Sequence, residues 1–135
     1  MSVGQGSLSN SVERESLQPS EHLALVIPSL TAGGAERAAV RMANHWRSER
    51  RHMTVFTFDD GSESPFYDLE EDVDHRTLDI ADVSTSLWER VVNNASRVRE
   101  LRSVLNRASP DAVIAFMPRA NVLTVLAGLG TQWPV

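Results

Sequence analysis

The chain alternates short apolar runs with amphipathic stretches. The first run, His22 to Pro28, is apolar almost throughout and ends at a turn-forming segment, which is typical of a strand buried on both faces. A second run, Met53 to Phe58, is rich in β-formers and stops at Asp59-Asp60-Gly61. A third lies within Asp111 to Met117. A weaker strand is predicted around His75 to Ile80, inside a segment that otherwise favours a loop.

Three helices are predicted between and after these strands. The first carries its apolar residues at helical spacing: Ala35, Ala38, Ala39, Met42, Ala43 and Trp46. The second, Trp88 to Ala108, has its arginines facing water and this apolar face: Trp88, Val91, Val92, Ala95, Val98, Leu101 and Leu105. The third, Ala120 to Leu129, is apolar nearly all round, so we expect neighbouring elements to enclose it.

This order of elements predicts the fold class. Strand, helix and strand in succession form a parallel unit with a right-handed crossover. We therefore expect an α/β domain with a Rossmann-like, doubly wound parallel sheet over residues 22–135. Residues 1–21, rich in Ser, Gly, Gln and Glu, are predicted to be a disordered tail. Trp133-Pro134-Val135 looks like the approach to a further strand, so we expect the domain to be incomplete at its C-terminus.

Composition excludes several kinds of chemistry. The 135 residues include no cysteine and 13 basic residues, all of them arginine. Thiolate metal sites, cysteine nucleophiles, Schiff-base lysines and P-loop lysines are therefore absent from this sequence. A formal net charge of −5 argues against a nucleic-acid partner. No apolar run approaches the length of a transmembrane helix. The absence of cysteine fits a protein of the reducing cytoplasm, which is where we expect this one.

The charges are unevenly distributed. From Asp59 to Asp82, ten acidic residues stand against Arg76 alone. They lack the residue order of a calcium loop, so a solvated loop is favoured. The four histidines show no metal-ligand spacing, and no metal site is predicted. Arginine-rich helix faces on either side are interpreted as solvated, with contact to anionic lipid headgroups as the alternative.

The most informative motif is Ser29 to Arg37, which joins the first strand to the first helix. Ligands of open α/β sheets lie at the carboxyl ends of strands, where a glycine turn lets backbone approach a phosphate. Gly33-Gly34 supplies such a turn, but no Gly-x-Gly-x-x-Gly and no Gly-Lys-Ser/Thr is present. The alternative is that the two glycines form a tight turn and permit close packing of helix on sheet.

Several of these segments resemble one family. Ala24 to Leu30 followed by Gly33 to Arg37 is similar to the opening of the N-terminal domain of GT-B glycosyltransferases of family 4. His52-x-x-Val55, then Pro110 to Phe116, then Asn121 before an apolar helix follow the same pattern. The resemblance extends over roughly residues 22–135 and is most specific at Gly-Gly-Ala-Glu-Arg.

The resemblance implies a retaining, metal-independent transferase that needs no cofactor beyond its nucleotide-sugar donor. Its N-terminal domain would hold a glycan or lipid-linked acceptor, and a C-terminal domain missing from this chain would hold the donor, so we expect this polypeptide to be inactive alone. Gly33 and Gly34 would face the donor diphosphate, with Gly34 in closer approach. Four side chains are candidates on the acceptor side: Glu36, Arg37, Arg119 and Asn121.

Three of these four candidates also have a structural interpretation. Glu36 complements a helix dipole, Arg37 is solvated, and Asn121 caps a helix. At the level of function, the leading hypothesis is a transferase of cell-envelope or surface-polysaccharide synthesis, cytoplasmic or peripheral at the inner face of the membrane. A non-catalytic remnant or interaction module is the main alternative, and a nucleotide-binding oxidoreductase domain is less favoured.

Overall fold

The structure, a computed structural model, describes residues 21–80 and 86–135, with the side chains of residues 87–91 left out. The predicted tail, except its last residue, and the side chains of Trp88 and Val91 therefore lie outside the described part. Seven elements are described, in chain order: β1 (His22–Ile27), α1 (Gly34–Ser48), β2 (His52–Thr57), β3 (Asp74–Thr77), α2 (Leu87–Ala108), β4 (Ala112–Ala115) and α3 (Pro118–Gly128). Each matches a predicted strand or helix, with bounds that differ by a few residues.

The described strands form one parallel sheet in the order β3-β2-β1-β4. β1 pairs with β2 on one side, His22 opposite His52, and with β4 on the other, Leu23 opposite Ala112. β3 pairs with the outer edge of β2. The predicted α/β class with a Rossmann-like parallel sheet is confirmed.

Helices cover both faces of this sheet. Side chains alternate along a strand, so Leu23, Leu25 and Ile27 of β1 pack on one face together with Ala39, Val40 and Ala43 of α1. Ala24 and Val26 point to the opposite face, where they meet a second cluster that includes Leu101 and Leu105 of α2 and Leu123 of α3. The result is a layer of helix on each side of a doubly buried sheet.

The apolar face of α2 is rotated from its predicted position. Arg97 was expected to face water, yet it is only 7% exposed, whereas Val92 and Ala95 are exposed. The described buried positions recur at every fourth residue, Arg97, Leu101 and Leu105, and this stripe carries the arginine inward. Its Nη1 donates to Asn94 Oδ1 at 3.1 Å, which partly satisfies the buried guanidinium.

The prediction that neighbours enclose α3 is wrong for the described residues. α3 contacts β1, β4 and α2 and buries one stripe: Ala120, Leu123, Thr124 and Ala127. Its other side leaves four large apolar side chains exposed: Val122, Val125, Leu126 and Leu129. An apolar sequence allows every side of a helix to be buried, but burial also needs a neighbouring element. Among the described residues, one side of α3 has no such neighbour. Across the described residues, no helix is both long and apolar enough to cross a bilayer.

The segment after α3 runs beside β4. Val113 N–H donates to the Pro134 carbonyl at 2.8 Å, on the edge of β4 that faces away from β1. Trp133 is buried, and its Nε1 donates to Asn106 Oδ1 at 3.1 Å. Gly128 makes room for this ring, since a Cβ there would lie 2.9 Å from Trp133 Cζ3.

The neighbouring strands β1 and β2 each begin with a histidine, and the two rings stack. The register sets His22 beside His52, and their rings stack with centroids 4.2 Å apart. His22 Nε2 lies 2.8 Å from Thr54 Oγ1, and the His22 N–H donates to Asp111 Oδ2 at 2.7 Å. Burial and the adjacent His52 lower the pKa of His22, and nearby Asp111 opposes them only in part.

Acid should destabilise the fold through His22. Because the folded-state pKa of His22 lies below the unfolded value of about 6.5, the stabilisation is complete above that pH and is lost as the pH falls through the folded pKa. Burial lowers the pKa of His75 in the same direction. We expect His22→Gln to lose less unfolding free energy than the parent between about pH 7 and about pH 5, measured by urea unfolding. His45→Gln, at an exposed position of α1, is the control for removing one imidazole. The expectation would be contradicted if the unfolding free energy fell equally with pH in the parent and in His22→Gln.

Candidate functional site at the carboxyl edge of the sheet

The carboxyl ends of β1 and β4 lie side by side. Val26 pairs with Ala115, and Phe116 N–H donates to the Val26 carbonyl at 2.9 Å. Beyond this point the chain leaves β1 for α1 on one face and leaves β4 for α3 on the other. Such a divergence is a topological switch point, where open α/β sheets form a ligand-binding crevice. The structure thus brings all six predicted site residues to one edge, on two segments beside this point.

Gly33 has ordinary extended backbone, and what crowds this position is the side chain of Glu36. Its φ of −178° is extended, which any residue adopts. A Cβ at Gly33 would overlap the Glu36 carboxylate and lie 2.9 Å from Glu36 Cδ. Glu36 is 8% exposed and folds back over the turn, where the N-terminus of α1 favours a negative charge. This arrangement fits the dipole interpretation of Glu36.

Gly34 is the open position of the pair. It is exposed, and a Cβ there would meet nothing within 4 Å. No side chain caps α1, whose N-cap is Gly33, so the first-turn N–H groups remain available to a ligand. Arg37 is exposed next to this turn. An anion approaching the helix therefore meets a carboxylate at Gly33 and open backbone at Gly34.

The loop after β4 is strained and braced. Met117 has φ 78° and ψ 147°, a left-handed conformation that favours glycine, and its side chain is exposed. In the orientation that satisfies its hydrogen bonds, the Asn121 amide donates to the Ala115 carbonyl at 2.8 Å and to the Met117 carbonyl at 3.2 Å. Asn121 therefore ties the loop to the end of β4, and no side chain caps α3. Arg119, in the first turn of α3, is half-buried.

A cavity of about 260 Å³ opens at the same edge, on the side of β2 and β3. It was not predicted from the sequence. Its floor is the segment after β1, Leu30 to Ala32, and its opposite wall is the loop Glu63 to Phe66, with Asp59 and His75 completing the lining. Phe66 N–H donates to the Leu30 carbonyl at 2.8 Å and so holds this loop against β1. We call this space the acidic cavity.

A chain of hydrogen bonds links the acidic cavity to strands β2 and β3 of the sheet. The Thr57 hydroxyl donates to Asp59 Oδ1 at 3.0 Å, and His75 Nε2 lies 3.0 Å from the same hydroxyl. Because the hydroxyl hydrogen points to Asp59, His75 Nε2 is the donor to Thr57. Burial lowers the pKa of His75, although nearby Asp59 and Asp74 act in the opposite direction. The only signal in the sequence was an Asp-Asp-Gly after a strand, which also marks an ordinary turn.

Acidic residues and histidines do not gather into a metal centre here. Within residues 21–80 and 86–135, no three such side chains are placed to hold a metal ion. The arrangement at this edge is suited instead to hydrogen bonding: backbone N–H donors at Gly34 and carboxylate acceptors in the acidic cavity.

Sequence comparison relates part of the chain to a glycosyltransferase. No protein-family model matches it. Over 113 residues it is 28% identical to a Campylobacter jejuni enzyme, the GalNAc-alpha-(1->4)-GalNAc-alpha-(1->3)-diNAcBac-PP-undecaprenol alpha-1,4-N-acetyl-D-galactosaminyltransferase. The match covers 84% of this chain and 30% of the relative, so the chain spans less than a third of that protein. The similarity supports a glycosyltransferase-like function.

The two glycines should respond differently to alanine. Gly33→Ala moves the flexible end of the Glu36 side chain and replaces the glycine N-cap of α1, so we expect a loss of up to about 1 kcal/mol in unfolding free energy. In a Glu36→Ala background the loss should be smaller, because the overlapping atoms are gone and only the N-cap contribution remains. Gly34→Ala should leave stability unchanged or raise it by up to about 1 kcal/mol, since its Cβ points into open space within a helix. Urea unfolding of the four variants tests this, and equal losses at both glycines would contradict it.

Met117 and Asn121 should be energetically coupled. Asn121→Ala removes two hydrogen bonds and is expected to cost about 1–2 kcal/mol of unfolding free energy. Asn121→Asp should cost at least as much, because it places a carboxylate against two carbonyls. Met117→Gly relieves the backbone and should reduce the cost of Asn121→Ala when the two are combined. A double-mutant cycle by urea unfolding measures the coupling, and strict additivity would show that Asn121 does not brace Met117.

Proposed function

We propose that this chain is the acceptor-binding, N-terminal part of a GT-B glycosyltransferase of family 4, which transfers a sugar from a nucleotide donor with retention of configuration. The observation that carries the proposal is a glycine turn at the switch point of a parallel sheet, in a chain similar to part of a glycosyltransferase.

The relative suggests the class of acceptor. Its name describes transfer of N-acetyl-D-galactosamine to a glycan on undecaprenol diphosphate. For the present chain we propose a glycan on a lipid diphosphate as acceptor and an activated sugar as donor, in cell-envelope or surface-polysaccharide synthesis. An enzyme with such an acceptor works in the cytoplasm against the inner face of the membrane.

The site supplies a physical basis for this chemistry. Open N–H groups at Gly34, together with the positive end of the α1 dipole, favour the donor diphosphate. Glu36 beside them offers a carboxylate to an acceptor hydroxyl, and Arg119 adds a cation on the opposite side of the switch point. Backbone donors and arginine neutralise the phosphates without a metal ion, so we propose metal-independent transfer.

A second candidate is an interaction module that keeps this fold without catalysis. The exposed apolar side of α3 favours it: Val122, Val125, Leu126 and Leu129. In that case the chain would bind partners but contribute nothing to sugar transfer.

A chimaera separates the two candidates. The matched segment of the Campylobacter transferase is replaced by residues 22–135 of this chain, and transfer of nucleotide-activated N-acetylgalactosamine to a lipid-linked glycan is measured. We expect the chimaera to turn over and this chain alone not to, because the rest of the transferase supplies the donor site.

Gly34→Val in the chimaera should lower kcat/KM by roughly tenfold to a hundredfold, since it blocks close approach of the diphosphate to backbone N–H groups. Ala38→Ser, exposed on the same helix, is the matched control and should retain activity. A folded chimaera that binds the donor through the rest of the transferase but neither binds the acceptor nor turns over would reject the transferase and favour the interaction module. Turnover by the chain alone would reject its proposed dependence on a donor domain.

A further inference from the structure

We propose that the acidic cavity binds one uncharged sugar residue of the acceptor glycan, with Phe66 packed on the C–H face of the ring and Asp59 and Glu63 accepting its hydroxyl hydrogens. The inference rests on the proposed function for its ligand class, a glycan. It adds a subsite on the β2–β3 side of the glycine turn.

The size of the cavity suits a single ring. Its volume is about 260 Å³. Pockets for drug-sized ligands begin at about 300 Å³. One hexopyranose with its hydroxyl groups is therefore a better match than an oligosaccharide or a nucleotide.

The charge of the lining selects for hydroxyl donors. Among the described residues that line it are two carboxylates, those of Asp59 and Glu63, the hydroxyls of Thr31 and Ser64, and no arginine. Ionised carboxylates only accept hydrogen bonds, and bonds to them are stronger than neutral ones. A phosphate would meet like charge with no cation to offset it. Sugar hydroxyls carry the complementary donors.

A hydrogen bond within the protein orients the Asp59 carboxylate before any ligand binds. The Thr57 hydroxyl occupies its Oδ1 at 3.0 Å, and His75 fixes that hydroxyl from the other side. Its second carboxylate oxygen has no hydrogen bond to any residue in the described part of the chain, which leaves an acceptor at the cavity wall. A carboxylate oriented before binding loses little freedom when a ligand arrives.

Phe66 provides the apolar surface that a pyranose needs. It is 65% exposed and is one of the residues that line the cavity. Its backbone bond to Leu30 fixes its position, and an edge-to-face contact with Tyr67, centroids 5.0 Å apart, restrains the ring. One face of a pyranose presents C–H groups, which gain contact area when they cover an aromatic ring.

The cavity is continuous with the glycine turn. Leu30, Thr31 and Ala32 line it, and the chain then runs directly into Gly33 and Gly34. A sugar held there lies next to the helix N-terminus proposed for the diphosphate. The two sites are therefore neighbours, and one offers backbone N–H donors whereas the other offers carboxylate acceptors.

The test is a titration of the full chain, followed by NMR amide shifts, with methyl 2-acetamido-2-deoxy-α-D-galactopyranoside. We expect saturable binding in the millimolar range with shifts at residues 30–32 and 63–66. Phe66→Ala and Glu63→Gln should each weaken binding about tenfold, the effect of losing one stacked face or one charge-assisted bond. Phe66→Tyr keeps the ring and should retain binding. Glu71→Gln, exposed in the acidic segment outside the cavity, is the matched control and should match the parent.

Charge provides an independent check. The methyl glycoside of galacturonic acid should bind more weakly than the neutral glycoside, and Glu63→Gln should narrow that difference. Equal binding by parent and Phe66→Ala, binding abolished by a chelator, or no neutral-glycoside binding at tens of millimolar would each overturn the cavity assignment.

These outcomes are distinguishable from failure of the proposed function, because the titration needs no donor. Glycoside binding in the cavity together with a folded chimaera that does not turn over rejects the transferase and keeps the cavity. If the chimaera is active and Phe66→Ala changes neither its turnover nor its glycoside binding, the transferase assignment stands and the cavity assignment is rejected.

Discussion

The structure depends on β1 being paired in parallel on both sides. All of its residues from Leu23 to Ile27 are buried, with β2 along one edge and β4 along the other. Parallel partners cannot be joined by hairpins, so each connection must cross a face of the sheet, and the helices are forced onto both faces. The same parallel order brings every carboxyl end to one edge. The glycine turn, the Met117 loop and the acidic cavity are consequences of that single constraint.

What the sequence predicted well is what periodicity controls. The continuous apolar run of β1 predicts burial on both faces, and β1 is buried as expected. The helical spacing in α1 predicts burial of one face, and one face is buried, although Ala38 of the predicted face is exposed. A glycine turn after the first strand could be placed at the sheet edge for the same reason. The sequence does not define which side of α1 faces the sheet, because alanines lie on several sides of this helix. Val40, rather than Ala38, faces the sheet.

What the sequence missed depends on contacts between distant segments. β3, Asp74–Thr77, is polar, so no apolar pattern sets its register, yet that register brings His75 to Thr57. The Arg97 burial follows from helix phase against α3 and the sheet. The overlap of Glu36 with the space above Gly33 is a rotamer choice, which a string of letters does not record.

Electrostatics divides this edge into two unlike halves. Lysine is absent, so any phosphate must rely on backbone N–H groups and arginine, and the open N–H groups lie at Gly34. Glu36 stands over Gly33, and its charge weakens anion binding there. On the β2–β3 side the acidic cavity presents the carboxylates of Asp59 and Glu63 instead. A ligand with a phosphate at one end and neutral hydroxyls at the other would therefore have only one favourable orientation along this edge.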